Sequence, residues 1–351
     1  MNLSQYGFSP ELLPENAQGL PARITAVHRG RFALISEAGE GYGKLKSAEY
    51  DSGREEYPTV GDFVLIHPVP GGDSQIIRTL PRKSFFSRRD PDRGRGEQII
   101  AANFDLVVLL QSLNQDFNIR RLERYLTLAW QSGASPVVVL TKSDLTSDPN
   151  TYLLQAQTIA LGCPVLAVSA KTGKGLDDLK KILCPGLTAV FRGSSGGVQP
   201  SLVNALGAEP LRAGGEIRED DGKGRHTTTH RQLLLLPNGT ILIDTPGMRE
   251  LGMWDVSSGL GESFADIEAL QTQCRFRDCT HHTEPGCAVR EAIKSGELPQ
   301  ERWESYQALR REAKYSDDKE AYLRKKQQLY KNIAKWSRRQ KSSGKRGWEE
   351  S

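Results

Sequence analysis

The stretch FRGSSGGVQPSLVNAL, residues 191–206, decides the fold. Its pattern predicts the end of a strand, a glycine-rich turn and an amphipathic helix. That is the layout of a phosphate-binding loop of the form G-x-x-x-x-G-K-[ST]. Gly193 takes the first glycine position, so Val198, Gln199 and Pro200 stand where the second glycine, the lysine and the magnesium-binding hydroxyl belong. The layout of the loop is present, but three positions that define the binding of phosphate and magnesium are changed. An ordinary glycine-rich turn is the alternative for this stretch alone.

The chain has 351 residues, which suits two or three domains. Its net charge of +4 is only mildly basic, so the distribution of charge matters more than the sum. There is no run of about twenty apolar residues, and the N-terminal residues lack the basic start and apolar core of a secretory signal. We therefore expect no membrane contact and a cytoplasmic, reducing compartment.

Residues 20–95 are predicted to form a small β domain, because ARITAVHRGRFALISE (22–37) alternates apolar and polar residues around a glycine turn. The segments 59–69 and 74–80 are further short strands, so a small barrel of the OB type is expected. Seven Arg or Lys and two Asp follow between Gln75 and Gly96, with Phe85 and Phe86 among them. These residues favour RNA contact. A solvated basic loop with two core phenylalanines is the alternative.

Residues 98–190 alternate predicted strands and helices. FDLVVLLQSL (104–113) is a near-continuous apolar run, typical of a buried parallel strand. The segment that follows places an apolar stripe at helical spacing and ends at Gly133; the stripe consists of Leu122, Tyr125, Leu126 and Ala129. The rhythm continues to the strand at 187–191 that enters the glycine-rich stretch. It indicates an open parallel sheet that binds ligands at the carboxyl ends of its strands.

Two of these strand ends resemble the base-contact motifs of GTPases. The N-K-x-D motif is matched by Thr141, Lys142, Ser143 and Asp144, and the S-A-K motif by Ser169, Ala170 and Lys171. An aspartate can accept from the N1–H and the exocyclic amine of guanine together, and adenine lacks that donor pair. Thr141 replaces the usual Asn, so the contact that the Asn side-chain amide would make is lost.

Two further segments follow the glycine-rich stretch. GKGRHTTTH (222–230) carries hydroxyl groups that could reach a magnesium ion or a γ-phosphate. A predicted hairpin then ends in DTPG, whose Asp244 and Gly247 match the D-x-x-G pattern that holds magnesium and senses the γ-phosphate. A plain β-turn is the alternative for DTPG alone.

The order of these motifs resembles that of circularly permuted GTPases, since both base motifs precede the phosphate loop. With an OB-like domain before and a Cys/His cluster after, residues 20–300 resemble the RsgA (YjeQ) family of small-ribosomal-subunit-dependent GTPases. The resemblance implies an OB-like RNA-binding domain at 1–95, a permuted α/β P-loop GTPase domain at 96–254, and an α-rich zinc-knuckle and basic helical domain at 255–351.

The cluster consists of Cys274, Cys279, His281 and Cys287, in the spacing C-x4-C-x-H-x5-C. Three thiolates and one imidazole make a closed tetrahedral shell, typical of structural zinc. His282 is an alternative ligand, and the family pattern selects His281. Unpaired buried thiols are the other interpretation of the cluster.

The C-terminal segment 324–346 has ten Lys or Arg and no Asp or Glu, with Tyr330 and Trp336 among them. This composition suits an arm that lies on RNA. A solvated tail is the alternative.

The resemblance implies a monomer that binds the 30S subunit and its rRNA, hydrolyses GTP to GDP with Mg²⁺, and carries one structural Zn²⁺. In this interpretation Asp144 recognises guanine, and Lys142 and Ser169 to Lys171 frame the base. Thr228, in the segment 227–229, and Asp244 approach magnesium. His226 is the candidate replacement for the water-positioning glutamine, because Met248 stands in that position, and a structural loop histidine is the alternative. The residues that hold phosphates are Gly193, Ser194, Ser195, Gly196, Gly197, Val198, Gln199, Pro200 and Ser201.

Gln199 and Pro200 put catalysis in question. Gln199 carries no charge, and Pro200 has neither a hydroxyl nor an N–H. A working GTPase and a binding protein that has lost turnover are therefore both kept as hypotheses.

Overall fold

The computed structural model describes residues 2–15, 17–28, 30–45, 57–89, 97–114, 117–193, 198–207, 209–210, 232–244 and 257–313. Within these ranges the chain forms an N-terminal β-barrel, a central sheet covered by helices and a C-terminal group of helices. This confirms the three-part fold class. No helix in these ranges is long and apolar enough to cross a membrane. The basic segment 324–346 lies outside the described residues.

Among the described residues, the N-terminal barrel has five strands, whose bounds are Leu20–His28 (β1), Arg31–Ser36 (β2), Gly39–Leu45 (β3), Phe63–His67 (β4) and Ser74–Thr79 (β5). They pair in the order β1-β2-β3-β5-β4, and β4 pairs back onto β1, which closes the barrel. Ile24, Leu34, Val64 and Ile76 are buried in its core. Closure leaves these strands no long free edge, and the OB-like prediction is confirmed.

A hairpin of Phe85–Arg89 (β6) and Glu97–Ala102 (β7) follows the barrel. Phe86 is buried and stacks on Phe104 with ring centroids 4.9 Å apart, whereas Phe85 is 41% exposed. The alternative of two core phenylalanines holds for Phe86 only, because neighbouring strand residues point to opposite faces, and RNA contact by this stretch stays a prediction. One ring belongs to the core and the other to the surface.

Arg82, in the same basic stretch, has a structural role. Its guanidinium donates to the fully buried Asp62 across 2.7 and 2.8 Å. Burial raises the pKa of the Asp62 carboxyl, and the hydrogen bond and charge of Arg82 oppose that shift. The Arg82 guanidinium is therefore engaged within the fold.

The central sheet has six main strands among the described residues, in the order β10-β9-β8-β11-β14-β13. All neighbours are parallel except β13 and β14. The bounds are Leu106–Ser112 (β8), Ser135–Thr141 (β9), Val165–Ala167 (β10), Thr188–Gly193 (β11), Gln232–Leu235 (β13) and Ile241–Asp244 (β14), and Glu209–Pro210 (β12) pairs with β13. β13 also pairs with β1 at Gln232 and Ala26, so this sheet continues into the barrel.

Helices cover both faces of this sheet, as the alternation of strands and helices predicts. Their bounds are Ile119–Gln131 (α1), Pro149–Gln157 (α2), Leu176–Ile182 (α3) and Val198–Ala205 (α4). Val107 and Leu109 of β8 pack on the face that α1 covers, and Val108 and Leu110 pack on the face of α3 and α4. The predicted apolar stripe of α1 is buried against the sheet.

The C-terminal helices are Ser257–Ser263 (α5), Ala265–Thr272 (α6), Ala288–Ser295 (α7) and 300–313 (α8). Phe264, Ile267, Val289 and Trp303 belong to their common core. Gly259 of α5 lies so close to α1 that an added Cβ would stand 2.2 Å from the carbonyl oxygen of Thr127. The glycine thus permits the close approach that joins these helices to the central sheet.

Candidate nucleotide and metal sites

The first base-contact segment is a tight turn at the carboxyl end of β9. Thr141 ends the strand, and Lys142 takes a left-handed conformation with φ of 57°. Ser143–Leu145 then form one short helical turn. The backbone N–H of Ser143 donates to the carbonyl of Val168 across 3.0 Å, which fixes this turn to the second base-contact segment.

Asp144 and Ser169 join the two predicted motifs directly. The Ser169 hydroxyl donates to Asp144 Oδ1 across 2.5 Å and lowers the pKa of that carboxyl. Ser169 is itself held in place, because its Oγ accepts from the N–H of Thr172 and its carbonyl accepts from the N–H of Gly173. The result is an ionised, oriented carboxylate on an exposed rim, which suits an acceptor for the two N–H donors of guanine.

A cavity of about 310 Å³ lies beside this carboxylate. It brings together both base-contact motifs and the helix that follows the phosphate loop, and its lining is Thr141, Lys142, Asp144, Leu145, Val168, Ala170, Lys171, Ser201 and Leu202. A pocket with apolar walls and a few convergent polar groups is a common form of ligand site. Sequence reasoning missed Leu145, Val168 and Leu202, since single apolar residues beside a motif carry no pattern of their own.

The phosphate-loop stretch starts at the carboxyl end of the central strand β11. Gly193 ends β11, and an added Cβ there would lie 3.0 Å from the Cβ of Leu110 on β8. Val198, Gln199 and Pro200 lie at the start of α4, where proline is tolerated, so the predicted helix forms. Ser194 to Gly197 lie outside the described residues.

Of the predicted magnesium and catalytic residues, only Asp244 is described. It ends β14, next to β11, so its backbone lies at the same edge of the sheet as Gly193. His226, Thr228 and Gly247 lie outside the described residues.

The four predicted metal ligands converge. Their ligand atoms all lie within 4.8 Å of one another, and His282 is outside the group. The Sγ atoms of Cys274 and Cys287 are 3.9 Å apart, and Nδ1 of His281 lies 3.6 and 3.4 Å from them. Tetrahedral zinc with bonds of about 2.3 Å to sulfur and about 2.0 Å to nitrogen would set these separations at roughly 3.8 and 3.5 Å. The donor set therefore fits a zinc ion.

The surroundings of the cluster orient its ligands. Burial disfavours ionisation of Cys274, but hydrogen bonds from the backbone N–H groups of Val289 and Ala288, at the start of α7, together with those from the Cys287 and Cys279 thiols, outweigh it and lower the pKa of that thiol. The His281 ring meets Trp303 edge to face, with centroids 5.4 Å apart. The Glu284 carboxylate accepts from the backbone N–H groups of Thr280, His282 and Thr283 and so closes the turn between the ligands.

Comparison with known proteins agrees with this geometry. The family model described as RsgA GTPase matches residues 79–254. A protein of Listeria innocua called small ribosomal subunit biogenesis GTPase RsgA 1 is 43% identical over 340 residues, which are 95% of this chain and 96% of that protein. A Lactiplantibacillus plantarum protein called small ribosomal subunit biogenesis GTPase RsgA 2 is 46% identical over 321 residues, or 90% of each chain.

Two solved structures have the same fold. YjeQ from Thermotoga maritima matches with a TM-score of 0.63 and 27% identity, covering 84% of this chain and 98% of that one. YloQ, described as a circularly permuted GTPase, matches with a TM-score of 0.60 and 25% identity, covering 86% and 97%. With base motifs that precede the phosphate-loop stretch in sequence but share a cavity with the helix that follows it, the chain belongs to the RsgA GTPase family.

Proposed function

We propose that this protein is a GTPase that acts in the biogenesis of the small ribosomal subunit. The observation that carries the proposal is the cavity that unites Asp144 with Lys171 and with Ser201 of α4. Family membership supplies the reaction, GTP hydrolysis, and the process. The chain divides into an RNA-binding unit at 1–95, a GTPase unit at 96–254 and a zinc-binding unit at 255–351.

In the nucleotide site, the Asp144 carboxylate accepts from guanine while the side chains of Lys142 and Lys171 frame the base. The backbone from Gly193 to Ser201 surrounds the phosphates. Asp244 and Thr228 approach Mg²⁺, with Gly247 sensing the γ-phosphate, and His226 orients the attacking water.

The phosphate loop limits this activity. Losing a buried, hydrogen-bonded charge partner costs about 2–5 kcal/mol, which is roughly 30- to several-thousand-fold in affinity. Gln199 lacks the charge and Pro200 lacks the magnesium ligand, so these two residues favour a second candidate. That candidate is a homologue with deficient turnover that acts by binding the ribosome.

The Cys274, Cys279, His281 and Cys287 cluster holds one structural zinc ion. Four protein ligands leave no open position for a substrate, so the metal stabilises the fold of the C-terminal helices rather than taking part in hydrolysis.

The barrel is the proposed rRNA-binding surface. The Arg31 guanidinium lies over the Tyr42 ring at 3.7 Å, and Lys44 shares the Asp73 carboxylate with Arg31. A ring beside cationic groups suits both a base and a phosphate. We further propose that the protein is a cytoplasmic monomer.

Nucleotide titration and phosphate release, each with and without purified small subunits, test the proposal. Tight guanine-nucleotide binding with subunit-stimulated release supports the GTPase. Subunit binding without turnover supports the second candidate. Absence of both subunit binding and hydrolysis would refute the two together.

A further inference from the structure

The loop between the first two metal ligands presents an aromatic ring to solvent. This knuckle loop, residues 274–279, reads Cys-Arg-Phe-Arg-Asp-Cys, and the four residues between its cysteines are all exposed. Phe276 is 41% exposed and is not a member of the C-terminal core around Trp303. Its ring is therefore available to a partner.

The knuckle loop is held rigid. Both of its ends are predicted metal ligands, Cys274 and Cys279. The backbone N–H of Arg275 donates to the carbonyl of Gly286 across 3.0 Å, and that of Cys279 donates to the carbonyl of Phe276 across 3.3 Å. A ring on a fixed backbone loses little conformational entropy when it makes a contact.

Two arginines neighbour Phe276 in the sequence. The guanidinium carbon of Arg275 lies 5.6 Å from the Phe276 ring centroid, and Arg277, the next residue along the chain, is exposed. Four N–H and O–H groups donate to the nearby Glu284 carboxylate, whose pKa is far below its usual range. That carboxylate is thus occupied within its own turn.

We propose that Phe276 is a stacking platform for an unpaired RNA base, with Arg275 and Arg277 contacting the phosphates on either side. An exposed ring whose two chain neighbours are exposed arginines offers both a stacking face for a base and cationic partners for phosphates, and stacking tolerates any base. An acidic protein surface would pair with the arginines but would leave the face of the ring unused. The inference rests on the proposed function, because it supplies a contact to the RNA of the small subunit.

The test compares Phe276→Ala, Phe276→Leu and Phe276→Trp in the full-length protein, with zinc content measured for each. The control is Leu154→Ala, which removes a 65% exposed apolar side chain from α2. Each variant is titrated with small subunits and with a single-stranded RNA of about 12 nucleotides, within the site sizes of strand-binding folds. The RNA carries a fluorescent adenine analogue that stacking quenches.

Loss of one stacked base should weaken binding of Phe276→Ala roughly 5- to 140-fold with zinc retained. Phe276→Leu should be as weak, because leucine is apolar but cannot stack. Phe276→Trp should keep affinity and quenching, and Leu154→Ala should match wild type. Subunit binding by wild type that Phe276→Ala leaves unchanged would overturn this inference and leave the proposed function intact. Full binding by Phe276→Leu would overturn it in favour of apolar docking to a protein.

Discussion

Arg302 of α8 and Glu123 of α1 form an ion pair of 2.9 Å whose side chains are only 6% and 4% exposed. The same guanidinium donates to both carboxylate oxygens of Asp266, each across 2.8 Å, and to the carbonyl of Ser263. A buried charge contributes to a fold only when its hydrogen-bonding groups are satisfied. The nitrogen atoms of Arg302 all have hydrogen-bond partners, so this network joins the C-terminal helices to α1, the helix that covers the central sheet.

Arg302→Ala should therefore destabilise the protein by about 3–5 kcal/mol, because it leaves Glu123 buried without its cation. Thermal and urea unfolding of the variant measure the loss. The control is Arg120→Ala, which removes an exposed pair to Glu304 at 3.4 Å and should cost at most about 1 kcal/mol. Equal losses in the two variants would contradict a structural role for the buried network.

Removal of one metal ligand should unfold the C-terminal core. Cys279→Ala is expected to release about one zinc ion per chain, because binding of a structural metal is largely folding free energy. Metal analysis and protease sensitivity of the C-terminal helices measure the change. Cys184→Ala, at an exposed thiol outside the cluster, is the matched control. Carefully purified wild type without zinc would refute the prediction.

Asp144→Asn should change the base that the cavity selects. An amide cannot accept from both N–H donors of guanine, so affinity for guanosine diphosphate should fall about 10- to 100-fold. Xanthine carries a carbonyl in place of the exocyclic amine, and the new amide N–H can donate to it. Xanthosine diphosphate should therefore bind the variant better than it binds wild type. Titration of wild type and variant with both nucleotides measures the change. Unchanged affinity of the variant for guanosine diphosphate would mean that Asp144 does not contact the base.

The sequence predicted what depends on local pattern. Alternation of apolar and polar residues predicted the barrel strands, and the apolar stripe predicted α1. The close spacing of the ligands from Cys274 to Cys287 predicted a cluster, and the structure brings these residues together. What it could not predict depends on partners far along the chain. Arg302 and Glu123 are 179 residues apart, and no periodicity relates them. Composition places Arg82 in a basic stretch, but its partner Asp62 comes before β4 and β5, so two strands separate the two residues in the sequence.

The altered phosphate loop gives the sharpest prediction, because the scaffold around it is intact. α4 forms despite Pro200, and β11 and β14 place Gly193 and the backbone of Asp244 at one sheet edge. The triple change Val198→Gly, Gln199→Lys and Pro200→Ser should therefore raise both GTP affinity and turnover well above wild type. Gln199→Lys alone should do less, since magnesium would still lack a hydroxyl ligand.

Nucleotide titration and subunit-stimulated phosphate release, compared between wild type and the repaired form, separate three cases. Gain of affinity and turnover together would mean that only the phosphate chemistry is missing. If wild type already turns over at the rate of the repaired form, another cation, such as Lys223 or Arg225, supplies the charge that Gln199 lacks, and the turnover-deficient candidate is refuted. If the repaired form binds no nucleotide, the loop no longer faces the cavity beside Asp144, and the sheet edge has lost its role in GTP binding.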